Sequence, residues 1–427
     1  MFANLSLTRW RQFEDVGIRF HPRMTVLTGQ NGSGKTTILN TLSRHFGWDL
    51  QLVSTPLAKS SPGPQQEWSD VWPSSTPESG PLPGAVEVGK PWPSFTPESG
   101  PPPGAVEVGK ITYTDGAECR LLAPPQVNQA QYRLTYQHLR SIQGIHIPSH
   151  RPSFAYHRMH SIPVDPRTSQ QQYSEYQGLL QSFYTSEQSQ NPGRSLKQSL
   201  IALAVFGYGN DAVTENLEFK QMFLEFQDKL RLLLPRNLGF HRLEVRMPDI
   251  VFVADSGDFS LDAASGGVGA LVGIAWQIFM YGHDKTEFVV TIDEPENHLH
   301  PSMQRELLPN LFRAFPGTQF IVATHSPFIA ASAPEAHVYA LSYSESRRVR
   351  SSLLETAELS GTANEVLREV LGVSMTVPIW VESRFEEILD KYKNCSLGIG
   401  ELRQLKADLI ESRLIAYLPE ALARVGR

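Results

Sequence analysis

Cysteine is nearly absent: the 427 residues contain two, Cys119 and Cys395, and neither stands at metal-binding or redox spacing. That excludes a disulfide scaffold and a thiolate metal centre, and it points to a reducing cytoplasm. Excess positive charge is lacking too. A formal charge of −6 argues against wholesale coating of nucleic acid, although a local basic strip, and with it a DNA contact, stays open. No secretory core opens the chain, because Arg9, Arg11, Glu14, Asp15 and Arg19 interrupt its beginning. One stretch, Ala263 to Tyr281, carries no charge and approaches bilayer length, but its glycines, Ser265, Gln277 and its place just ahead of a nucleotide motif predict a buried helix and no membrane association. Long heptad arms are missing, since the helical pattern over residues 215–233 is far too short for one. What remains is a globular chain, 41% apolar, with enough core for one large domain or two ordinary ones.

The most informative stretch is residues 23–37, RMTVLTGQNGSGKTT, a β-branched run feeding a glycine-rich turn that opens a helix. Gly29, Gly32 and Gly34 allow successive backbone N–H groups to turn inward on phosphates, with Asn31 and Ser33 in the loop between them. Lys35 can reach the β- and γ-phosphates and Thr36, followed by Thr37, can place its hydroxyl on Mg²⁺. Residues 35–46 have a helical pattern stopped by Gly47.

Before this loop, residues 5–20 alternate as an antiparallel strand pair. After it, residues 54–104 are rich in Pro, Gly and Ser and read as a tolerated surface insertion expected to be disordered; a tandem repeat, VWPSSTPESGPLPGAVEVGK (71–90) then PWPSFTPESGPPPGAVEVGK (91–110), fills much of it, and only the tail of the second copy reads as structural. Val106 to Tyr113, a two-residue turn at Asp115–Gly116, and Ala117 to Leu121 predict a hairpin. Helices are expected over 132–142, 169–184, 195–206 and 215–233, with a strand at Ile145. His150 and Arg151 follow that strand, and Arg151 could face phosphate or satisfy loop carbonyls.

Three pieces near the end carry the remaining chemistry. Phe288 to Glu294 is an apolar strand ending in adjacent carboxylates: Asp293 suits Mg²⁺ and Glu294 suits polarisation of an attacking water. Thr318 to Thr324 is a second buried strand, ending at His325, which suits sensing of a γ-phosphate. Between them His298 and His300 stand two apart without a third ligand, so helix capping or subunit contact is expected there. Upstream, Asp262-Ala-Ala-Ser-Gly-Gly is another glycine-opened helix start, where Ser265 and backbone amides such as that of Gly267 could grip phosphate.

Taken in order, GQNGSGKT, ASGGV, VVTIDEPE and ATHSP make the chain resemble an ABC-type ATPase head of the RecF, SMC and OLD group. The opening Arg9-Trp-Arg-Gln-Phe is similar to the group's Asn-Phe-Arg-x-Phe, which brings Arg11 into the candidate nucleotide set, and DEPENHLHP is similar to the form in many stand-alone bacterial members. The resemblance implies an α/β fold with a P-loop core sheet, an antiparallel β-subdomain and a helical lobe. It divides the chain into an N-terminal ATPase lobe (1–50 and 105–160), the insertion (54–104), a helical lobe ending in the signature helix (161–282), a core part with Asp293 and His325 (283–345) and a C-terminal helical region (346–427). It further implies that Lys35, Thr36 and Asp293 hold MgATP, that Glu294 and His325 are catalytic, and that Ser265 completes the site of a second copy in a homodimer or larger homo-oligomer. Val268 departs from the usual Gln or Glu, and a Q-loop glutamine has two candidates, Gln126 and Gln143.

No long coiled coil and no Asp-x-Asp pair accompany the head. The amphipathic stretches 363–371, 379–391 and 400–417 follow it, with Glu382, Glu386, Glu387 and Asp390 reading as a solvated face. The layout is similar to ATPases of antiphage systems such as Septu or PARIS, which implies a separately encoded nuclease or toxin as effector. The alternative is a RecF-like clamp that binds DNA directly.

Overall fold

The computed structural model describes residues 1–56, 69–72, 104–125, 130–164, 167–185, 191–333, 335–355, 379–392, 398–418 and 421–422. Most of the tandem repeat, Gln126, Cys395 and the stretch 363–371 lie outside them. The chain divides into two compact units, Met1–Val366 and Leu367–Arg427.

The first unit is built on one eleven-stranded sheet. Its parallel centre comprises β3 (Met24–Gly29), β9 (Gly144–Ile147), β13 (Phe288–Asp293), β14 (Thr318–Thr324) and β15 (His337–Tyr343), in the order β15-β3-β14-β13-β9. Every residue of β3, β13 and β14 is buried, as expected of parallel strands covered on both faces. On the other side β1 (Phe2–Trp10), β2 (Phe13–Arg19), β5 (Val106–Tyr113), β6 (Glu118–Ala123) and β8 (Thr135–Gln137) form an antiparallel extension. The strand β16 (Val349–Leu353) joins the halves, antiparallel to β15 and parallel to β2. Val349–Leu353 therefore continue the core sheet, within the C-terminal region where helix was expected. Only Val349 of β16 is buried, and this thin apolar signal explains why the strand is silent in the sequence.

The helix expected over 132–142 is also absent. Tyr132 lies in β7 (Gln131–Tyr132), its buried hydroxyl accepting from Trp10 Nε1 (2.9 Å) and donating to Asp70 (2.8 Å), while Tyr136 in β8 donates to the Thr41 carbonyl (3.0 Å). These long-range anchors override the local periodicity. The hairpin between β5 and β6 is one residue longer than expected: Tyr113 N–H donates to Ala117 O, and Gly116 at φ 83° closes a three-residue loop.

Helices α2 (Ser169–Thr185), α3 (Pro192–Tyr208), α4 (Leu217–Leu233) and α5 (Gly266–Gly282) pack together around residues such as Phe226 and Trp276, whose rings meet edge to face at 5.2 Å. An unanticipated three-stranded ribbon, β10 (Phe240–Arg246), β11 (Asp249–Ala254) and β12 (Phe259–Ser260), lies within this helical stretch of sequence. The uncharged run is α5, apolar all round and almost wholly buried. Among the described residues, no helix is long and apolar enough to cross a membrane. The second unit, described by itself, pairs α8 (Ile379–Asp390) with α9 (Ile399–Glu411) around Phe385, Leu389, Leu405 and Leu409.

Candidate nucleotide-binding site

Three loops leave the same edge of the parallel sheet, the carboxyl ends of β3, β14 and β13, which is where open α/β sheets bind ligands. Because β14 lies between the other two, with Thr324 level with Thr28 and Ala323 level with Asp293, His325 emerges between the glycine loop and the carboxylate pair.

The glycine loop leads from β3 into α1 (Lys35–Ser43). Gly34 caps the helix at φ 94°, and a Cβ there would stand 2.3 Å from Gln12 Nε2 and 2.4 Å from the Phe13 ring. At Gly29, φ 145°, a Cβ would strike the Leu341 carbonyl at 2.3 Å. The loop is thus held between the β1–β2 turn and β15, and two glycines are needed for close approach as well as for backbone conformation. Tyr343 Oη reaches within 3.1 Å of where a Gly32 Cβ would lie. Asn31, Gly32 and Thr36 are exposed, whereas Ser33 and Lys35 are buried.

Lys35 Nζ donates to the carbonyls of Gly29 (2.8 Å) and Gln30 (3.0 Å) and to His325 Nδ1 (3.2 Å). His325 Nε2 stands 3.3 Å from Glu294 Oε1. A neutral imidazole satisfies both contacts, Nδ1 accepting from the ammonium and Nε2–H donating to the carboxylate. Burial, then the Lys35 charge, lowers the His325 pKa, which favours this neutral form. Burial also lowers Lys35 to about 8, against the attraction of Asp293, Glu294 and Glu296.

Glu294 adopts φ 46°, a conformation unusual for a residue with a side chain, held by its N–H to Ala323 O (2.8 Å). Asn297 Nδ2 donates to Glu294 Oε2 (3.1 Å). Arg151 donates to the carbonyls of Pro148, Asp293, Glu294 and Pro295, so its carbonyl-satisfying reading describes its contacts. Glu296, to which the sequence reading assigned no role, accepts through Oε1 from Thr324 Oγ1 (2.7 Å), His325 N (2.7 Å) and Ser326 N (3.2 Å), pinning the histidine turn to the carboxylate turn. Its place two residues after Glu294 in the DEPE run is the signal that could have found it.

Asp293 is 2% exposed; its Oδ2 accepts from Thr36 Oγ1 at 2.9 Å, while its buried Oδ1 has no hydrogen-bond partner. A hydroxyl beside a carboxylate with one orphaned oxygen is a donor set that fits Mg²⁺, which takes few protein ligands and completes its shell with water and phosphate. Burial raises Asp293 from 3.8 to about 6, despite the opposing Thr36 hydrogen bond. Folding therefore favours its proton between those values, and stability falls as pH rises through that window. Asp293→Asn should stabilise the nucleotide-free protein at pH 8 by about 1–3 kcal/mol, seen as a higher Tm, and the gain should roughly halve by pH 5. Thermal melts at both pH values check this; a loss of stability at pH 8 would mean that the charge is already compensated.

Comparison with known proteins adds sequence kinship. The family described as "AAA domain, putative AbiEii toxin, Type IV TA system" matches residues 180–331, and "AAA domain" matches residues 4–55. The retron Ec83 probable ATPase of Escherichia coli is 29% identical over 106 residues, 25% of this chain and 18% of that protein. Septu protein PtuA of Bacillus thuringiensis is 31% identical over 111 residues, 25% of this chain and 28% of that one. The matched stretches thus span less than a third of either relative's length. The SMC head domain from Thermotoga maritima aligns over 83% of this chain and 98% of that one, at 15% identity and TM-score 0.39. Residues 4–55 and 180–331 thus match AAA-type ATPase domains, in keeping with the resemblance to ABC-type ATPase heads of the RecF, SMC and OLD group.

Other expected site residues lie elsewhere. Ser265 is exposed and caps α5 by accepting from Val268 N (3.4 Å); the start of α5 packs against the carboxylate turn, where a Gly267 Cβ would lie 3.0 Å from the His298 carbonyl. His300 caps α6 (Pro301–Ala314), accepting from Ser302 N (3.3 Å). Arg11 is engaged away from the loop, donating to Val53 O (3.3 Å) with its Nε 3.6 Å from Asp70, so it holds the neck of the insertion while its neighbours Gln12 and Phe13 touch Gly34. Gln143 accepts through its carbonyl from Val289 N, at the end of β13 opposite Asp293, which argues against the Q-loop role.

Proposed function

We propose that this head binds and hydrolyses MgATP in the cytoplasm, pairs with a second copy around the nucleotide, and through that cycle controls a separately encoded effector, a nuclease or toxin, in antiphage defence. The observation that carries the chemical part is the single chain of contacts Lys35–His325–Glu294 beside Thr36–Asp293. Kinship to retron and Septu ATPases supports the biological part.

In this reading Lys35 exchanges the Gly29 and Gln30 carbonyls for the β- and γ-phosphates, while inward N–H groups of residues 30–36 bind the remaining oxygens. Thr36 and Asp293 would hold Mg²⁺, which would neutralise charge on the phosphates. Once Lys35 turns to phosphate, the His325 ring is released, and its Nε2–H can turn from Glu294 to donate to the γ-phosphate. Glu294 accepts a proton from water as the water oxygen bonds to γ-phosphorus and the bond to the β–γ bridging oxygen breaks. Asn297, Arg151 and Glu296 hold that carboxylate turn and the histidine turn in place.

Co-expression with its neighbouring genes should give a stable complex with one other product. Purification alone from the intact operon, together with ATP-dependent and salt-sensitive DNA binding by the isolated chain, would replace the effector reading by the DNA clamp.

A further inference from the structure

Lys197, in the second turn of α3, is completely buried, and no step at the nucleotide site uses it. Its ammonium donates to Asp249 Oδ1 (2.5 Å), Asp262 Oδ2 (2.5 Å) and the His157 carbonyl (2.9 Å). Three donors meet three acceptors, the condition under which a buried ammonium is tolerated. The acceptors come from three segments: the loop after β9, the first residue of β11, and the 3-10 turn Leu261–Ala263 that leads into α5. Asp262, its side chain 5% exposed, also accepts from His157 N–H (3.3 Å). Its own N–H donates to Ser260 Oγ (3.3 Å), and the turn closes with Ala264 N–H to Leu261 O (3.1 Å). The exposed Ser265 follows directly. It is flanked on one side by this anchored aspartate and on the other by Gly267 against His298.

We propose that Lys197 is a positioning residue for Ser265: through Asp262 it fixes the angle at which the serine and the first turn of α5 are offered to the nucleotide of a second copy. This rests on the head-to-head reading above. Two aspartates share the ammonium, but only Asp262 lies in the turn that leads into Ser265, and this separates positioning from mere support of the fold.

The test uses the full chain carrying Glu294→Gln, with Asp262→Asn or Asp249→Asn added, because Lys197→Met risks unfolding. Each aspartate change removes one charge from the same ammonium and leaves the other pair intact. Asp262→Asn should weaken ATP-driven dimerisation about ten-fold or more, while ATP affinity of the monomer stays within about two-fold of the parent. Asp249→Asn should change dimerisation less than about three-fold at a comparable loss of Tm. With Glu294 restored, Asp262→Asn should lower kcat and leave KM unchanged. Equal losses of dimerisation in the two variants, or none in Asp262→Asn, would overturn the proposal while leaving the head-to-head reading intact. A parent that stays monomeric in ATP would overturn both.

Discussion

Glu294→Gln should bind ATP as tightly as the wild type, within about two-fold, yet lose turnover by about 10²–10⁴, the span typical of a removed general base. Gln is the same size and can still accept from Asn297 Nδ2 or His325 Nε2, so the unusual backbone at φ 46° and the packing of the turn should survive. What disappears is the basicity needed to take the proton from water. With hydrolysis blocked, the ATP-bound state persists, and the variant should accumulate as a dimer. Phosphate release and ATP-dependent mass by light scattering, measured on the same preparation, check both halves. Undiminished turnover would move the water-activating role to another residue.

Lys35→Ala should weaken ATP binding by about 100-fold or more, equivalent to about 2.7 kcal/mol. The ammonium is already poised in the loop, 2.8 and 3.0 Å from two carbonyls it can exchange for phosphate oxygens, and among the described residues no other lysine or arginine hydrogen-bonds to those two carbonyls. The fold itself should not suffer. Burial lowers Lys35 from 10.5 to about 8, so the folded state disfavours this charge, and stability rises with pH between those values. Losing the ammonium should therefore leave the Tm of the nucleotide-free protein unchanged or slightly raised at neutral pH. The His325 pKa should rise, since the Lys35 charge is one of the causes holding it down. A fluorescent-ATP titration and a histidine NMR titration would check the two effects. Retained nucleotide binding would exclude the phosphate role.

These two results probe parts of the site that were legible to different degrees. The glycine loop is readable because its function lies in contiguous backbone: Gly29, Gly32 and Gly34 must take φ of 145°, 79° and 94°, and few residues other than glycine do so. Asp293 and Glu294 are readable because a wholly buried apolar strand ends in two charges. Arg11 was misplaced because resemblance identified the turn, while Asp70, 59 positions further along the chain, decided where the guanidinium goes. The helix expected over 132–142 failed for a similar reason, its tyrosines being anchored by Trp10, Thr41 and Asp70.

The sequence by itself determined the glycine-rich loop, the carboxylate pair, the histidine and the serine at the head of α5, because each is a local constraint carried by neighbouring residues. Only the tertiary structure decided how they connect. The order β3-β14-β13 inserts His325 between Lys35 and Glu294, Glu296 fastens two loops that are 28 residues apart, and Lys197 ties α3 to Asp262. Strand order and long-range hydrogen bonds depend on which buried surfaces pack together across the whole chain, and no local pattern of residues encodes that choice.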